Sequence, residues 1–146
     1  MSPAARMVQT PLAPDAQQFY ANATPDGAPR LRTLANSWSA GGGDLQVGKS
    51  TIRLMAGQRA RPFTAITLYA EQGGTPLVEM CRPLLRAHGL SDDAWDAWCD
   101  ERPELENLGF DRRASYPWIR LKDIRDPDLL RLAEGMRDIA RLVGAK

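Results

Sequence analysis

Two periodicities alternate along the chain. Leu31, Leu34, Ala35 and Trp38 recur at i, i+3, i+4 and i+7, the stripe of a helix with one buried face, and Ser39-Ala40-Gly41-Gly42 ends it. The period then drops to two. Leu45 and Val47 alternate with Asp44 and Gln46, and Ile52 and Leu54 alternate with Thr51, Arg53 and Met55, so the stretch around Gly48-Lys49-Ser50 predicts a β-hairpin. Residues Gly57 to Pro62 read as a second turn. Phe63 to Tyr69 read as a third strand, with Phe63, Ala65, Thr67 and Tyr69 on one face and Ile66 and Leu68 on the other. After a turn at Glu71 to Gly74, Leu77 to Cys81 reads as a fourth strand, although Thr75-Pro76 would also open a helix there; one helical turn then ends at His88-Gly89. Short strands joined by tight turns must run antiparallel.

The flanks are helical. Asp15 to Ala21, with Phe19 and Tyr20, predicts a short helix before a turn at Thr24-Pro25-Asp26-Gly27. Ser91 followed by Asp92 and Asp93 supplies an N-cap hydroxyl and acids against the positive helix end, and Trp95, Trp98 and Cys99 then share a face that stops before Pro103. Glu104 to Ser115 is polar and irregular, and Tyr116 to Leu121 predicts a last strand. Asp126-Pro127 opens a terminal helix whose stripe is Leu129, Leu132, Ala133, Met136, Ile139, Ala140 and Val143, stopped by Gly144. Residues 1–14, with Pro3, Pro11 and Pro14, read as a loosely held arm ahead of one domain over 15–146. The expected class is α+β: a single antiparallel sheet of four to five strands with helices packed largely on one face.

The segments VGKSTIRL, FTAITL, YPWIRL and DPDLLRLAEGM, in this order, resemble small bacterial domains of unknown function, the YdhG-type group, some of which carry a "predicted transport" label. The resemblance spans Phe19 to Val143 and departs most between Leu77 and Arg113, where a tryptophan-bearing helix is added. It implies a fold and no reaction, and it makes the lysine-serine pair a recurring hairpin feature.

Composition narrows the class. The 146 residues are 43% hydrophobic and 25% charged, with a net charge of +1, which fits one globular domain and leaves no global field toward nucleic acid or membrane. Two cysteines without a secretory segment, and no apolar run near the roughly 18 residues of a membrane span, predict a cytoplasmic protein with reduced thiols.

Gly43, Gly48, Lys49 and Ser50 satisfy the G-x-x-x-x-G-K-[ST] spacing in which backbone amides and a lysine surround phosphates. That loop needs a buried strand before it and a helix after it, and here a helix precedes and Gly57 cuts any following helix short, so the hairpin reading prevails. Cys81, His88 and Cys99 are three scattered ligands where structural zinc takes four, so no metal or cofactor is expected. Cys99 beside Trp95 and Trp98 predicts a buried, inert thiol. The acids Asp92, Asp93, Asp96, Asp100, Glu101, Glu104 and Glu106 predict a solvated face, or one that recognises an arginine-rich partner. Arg59 and Arg61 before Phe63, with Arg112 and Arg113 before Tyr116, would form a four-guanidinium anion site if both loops fall at one end of the sheet. The functional expectation is a non-enzymatic binding or accessory domain for a protein partner, a second copy included, or for an anionic ligand. The alternative is a small nucleotide binder or enzyme using Gly43 to Ser50.

Overall fold

The computed structural model describes residues 14–72 and 74–143; the arm at 1–13 and the stop at Gly144 lie outside the described residues. Helices α1 (Pro14–Asn22) and α2 (Gly27–Ala40) lead into strands β1 (Asp44–Val47), β2 (Thr51–Gln58), β3 (Arg61–Gln72) and β4 (Thr75–Met80). Three short helices follow, α3 (Arg82–Ala87), α4 (Asp92–Asp100) and α5 (Glu104–Asn107), then β5 (Trp118–Arg120), a 3-10 turn at Leu121–Asp123 and the long α6 (Asp126–Val143). The strands form one antiparallel sheet in chain order, β1-β2-β3-β4-β5. The ambiguity at Leu77 resolves as a strand, and the turn expected over Gly57 to Pro62 shrinks to Arg59 and Ala60, because Gly57 and Gln58 pair with Pro62 and Arg61.

One face of the sheet is the core. Ile52 pairs with Leu68 and Leu68 with Val78, which in turn pairs with Ile119, and all four are buried. The α2 stripe packs over this face and along α6, whose own stripe is buried throughout, while α1 packs on β1 and β3. The face assignment expected for β3 is corrected here. Leu54 pairs with Ile66 but Met55 pairs with Thr64, so Ala65 is an inserted residue and the alternation restarts across it. Phe63 therefore joins Ile66 and Leu68 on the core side, and Thr64, Thr67 and Tyr69 lie on the other. The stretch from Glu104 to Ser115 is likewise less loose than its polarity implies, since Leu105 and Phe110 are core residues and four residues of it are helical.

Small residues mark where backbones meet. A Cβ added to Gly43 would collide with the Trp38 indole, whose Nε1 donates to the Met55 carbonyl at 2.9 Å. The first glycine of the phosphate-loop pattern is thus a packing requirement of a buried tryptophan. Gly48 to Ser50 form the β1–β2 turn, closed by the Gly48 amide on the Thr51 carbonyl at 2.8 Å. A strand follows, not a helix.

Gly135 in α6 carries a second close approach. The buried Arg102 lies across it, donating from Nε to the Arg131 carbonyl at 3.1 Å and from Nη1 to the Trp98 carbonyl at 2.9 Å, while Trp98 donates to the Gly135 carbonyl at 2.9 Å. An alanine at 135 should raise helix propensity by about 1 kcal/mol. Its methyl would displace this guanidinium, so Gly135→Ala should instead destabilise by about 1–3 kcal/mol, read from urea denaturation; a more stable variant would show that Arg102 does not fix the α4–α6 contact.

Candidate functional site

The four arginines of the expected anion site fall on the β2–β3 hairpin and the 111–115 loop. Arg59 sits in the β2–β3 turn and Arg61 opens β3, both exposed, while Arg112 and Arg113 line a cleft of about 270 Å³ with Arg82, Arg86, Asp92, Trp95 and Asp96. Most of these charges are already satisfied. Asp92 accepts from Arg82 at 2.5 Å and Arg86 at 2.8 Å, and Arg112 meets Asp100 at 2.8 Å, Glu106 at 2.6 Å and Asp96 at 3.6 Å. The hydrogen bonds it donates to Asp100 first and then to Glu106 raise the Arg112 guanidinium above its ordinary range. The Arg112 carbonyl also accepts from Trp95 Nε1 at 2.9 Å, so this residue ties the 111–115 loop to α4. Only Arg113 among the cleft's arginines has no carboxylate partner among the described residues.

Other candidates resolve into structure. Cys99 is buried, and burial above all pushes its thiol up to about 11, so it stays protonated at neutral pH. Cys81 precedes α3, and His88 caps its far end and stacks on Phe63 at 3.9 Å. No cluster of three ligands able to hold a metal occurs among the described residues. Lys49 and Ser50 are exposed on the β1–β2 turn, where the Lys49 carbonyl accepts from Asn22 at 2.8 Å.

What sequence reasoning missed is the sheet's second face. Each strand contributes one residue to a row across it: Gln46, Arg53, Thr67, Glu79 and Trp118 stand in register. The next row holds Thr51, Tyr69, Leu77 and Arg120. No helix among the described residues covers these rows: Arg53, Trp118 and Arg120 are exposed, and Thr67, Tyr69 and Glu79 are half-buried. Tyr69, Gln72, Leu77, Glu79, Trp118 and Arg120 line a groove of about 370 Å³. The Leu77 floor is buried, and Arg120 lies over the Trp118 ring at 4.7 Å. Tyr69 donates a long 3.4 Å hydrogen bond to Glu79; burial first, and then that carboxylate, raise the phenol above its ordinary value, so it remains a neutral donor. The period-2 alternation in TIRLMA and YPWIRL carried this signal, but the order of strands that turns it into a surface did not show.

Compared with protein families, with curated proteins and with solved structures, the chain matches none. Its geometry therefore carries the functional argument. No helix among the described residues is long and apolar enough to cross a membrane.

The Asp92 cluster gives a pH signature. Hydrogen bonding to Arg86 in the first place, and the charges of both arginines, lower the Asp92 carboxyl below its ordinary value of 3.8. A depressed folded value stabilises the chain above the unfolded pKa, and that contribution is lost as pH falls through the folded one. Asp92→Asn should therefore cost stability at neutral pH and show a shallower loss between about pH 5 and pH 2 than the parent chain, measured by urea denaturation; parallel profiles would remove Asp92 from the acid-labile groups.

Proposed function

We propose that this chain is a non-enzymatic, cytoplasmic binding module that docks a protein partner on the open face of its sheet. The observation that carries this reading is the sorting of the tryptophans. Trp38, Trp95 and Trp98 are core residues that each spend their indole N–H on a backbone carbonyl, whereas Trp118 is 38% exposed and walls a groove with Tyr69 over an apolar floor. Trp, Tyr and Arg on one rim, around a half-desolvated centre, form the composition that protein interfaces concentrate. Tyr116, 56% exposed just ahead of β5, extends the aromatic edge.

The anionic-ligand alternative has less behind it, because all but one of the guanidiniums in the arginine cleft face carboxylates of the same chain. The nucleotide alternative lacks the strand-loop-helix that its chemistry needs. With magnesium and a labelled ATP analogue, no saturable binding is expected, and Lys49→Ala should change nothing.

The direct test places a photo-crosslinking residue at Trp118, and separately at Leu130 on the exposed side of α6 as the control, in cells that make the protein. Position 118 should give discrete protein adducts, either a second copy or another protein, and position 130 should give few. Adducts from 130 alone, or saturable micromolar nucleotide binding lost in Lys49→Ala, would overturn this reading.

A further inference from the structure

The open face carries opposite charges on either side of its middle strand. β3 is the middle strand, and Thr67 sits at the centre of the five-residue row with Arg53 one strand away on one side and Glu79 one strand away on the other. Within one chain these two charges stand two strands apart, about 9.6 Å at the usual strand spacing. Neither has an ion-pair partner among the described residues, although Arg30, Arg82, Arg86, Arg102, Arg112 and Arg131 all do.

A twofold axis running along β3 above this face exchanges β2 with β4 and β1 with β5. It lays Arg53 of one copy over Glu79 of the other, twice, and Gln46 over Trp118, twice, while Thr67 faces its own counterpart. This is the self-complementarity that an isologous interface requires. Inclining the axis by about 15° to β3 sets the two sheets at the roughly 30° that aligned sheets adopt when packed face to face. The centre is made of threonines, Thr64 and Thr67, which let two sheets approach.

The charge content of the face favours this occupant over others. The register places four charged side chains on it, Asp44 and Glu79 against Arg53 and Arg120, so the patch is neutral and offers no field for a nucleic acid or for a strongly acidic or basic partner. We infer that the partner of this face is a second copy of the same chain, joined sheet to sheet about β3 through reciprocal Arg53–Glu79 pairs. The inference rests on the proposed docking role of the face and names its occupant. Five strands at about 4.8 Å and some six residues at about 3.3 Å span roughly 24 by 20 Å. That footprint belongs to the small, reversible class of interface, below about 1,200 Å² in total.

Sedimentation equilibrium from about 1 μM to 1 mM should show a monomer–dimer equilibrium with a micromolar dissociation constant. Arg53→Glu and Glu79→Arg each oppose like charges twice and should each weaken the dimer by about tenfold or more. The double variant Arg53→Glu with Glu79→Arg restores both pairs and should return to within about threefold of the parent. Circular dichroism checks the fold; should a reversal unfold the chain, Arg53→Gln and Glu79→Gln read the same contact, each loosening the dimer about fivefold. A monomer at the highest concentration, or a dimer indifferent to every one of these changes, or a folded double variant that stays as weak as the singles, would overturn the inference. Crosslinks from position 118 to a different protein, with the chain itself monomeric, would overturn the twofold pairing alone and leave the docking role standing.

Discussion

The residue inserted at Ala65 decides which side of the sheet becomes the core. Without it, strict alternation through FTAITLY would set Phe63 against Ile66 and Leu68, burying one and exposing the others. With it, Phe63 pairs with Ala56 and Ile66 with Leu54 on one side, and the residues left over, Thr64, Thr67 and Tyr69, line the other. The apolar side is then sealed by α2 and α6, whose stripes have nowhere else to go. Among the described residues no helix covers the polar side, and α3, α4 and α5 gather instead around Trp95, Trp98 and Phe110.

That end is organised by arginines rather than by further apolar residues. Arg82 is buried beneath the Trp95 ring, with its guanidinium shared between the Leu90 carbonyl and Asp92. Arg102 is buried over Trp98 against the bare backbone of Gly135. Arg112 is gripped by three carboxylates. Each guanidinium has a planar stack or several acceptors, the arrangement that makes a partly desolvated charge tolerable. Asp92, Asp96 and Asp100 of α4 are thus part of this framework, as the partners of Arg82, Arg86 and Arg112.

Local signals in the chain forecast local structure well. The helix stripes at Leu31 to Trp38 and Leu129 to Val143, the Ser91 cap and the hairpin about Gly48 all form where their patterns place them, because each depends on neighbours in sequence. The faces of β3 were misread because a bulge adds one residue without leaving a mark in composition. The partners of Arg112 were not legible for a related reason: Asp96, Asp100 and Glu106 reach it from two separate helices. The open row was invisible since Gln46, Arg53, Thr67, Glu79 and Trp118 come from five strands, and only the ladder order makes them neighbours.

A dimer joined through the uncovered face of the sheet puts the same few residues of each copy at the contact. Amide and indole NMR spectra recorded across a dilution series read this residue by residue. Concentration-dependent shifts should be confined to the Trp118 indole and to the amides of Arg53, Thr67 and Glu79, with the buried indoles of Trp38, Trp95 and Trp98 unmoved. Shifts that gather on α4 and α6 while the sheet signals stay fixed would contradict it.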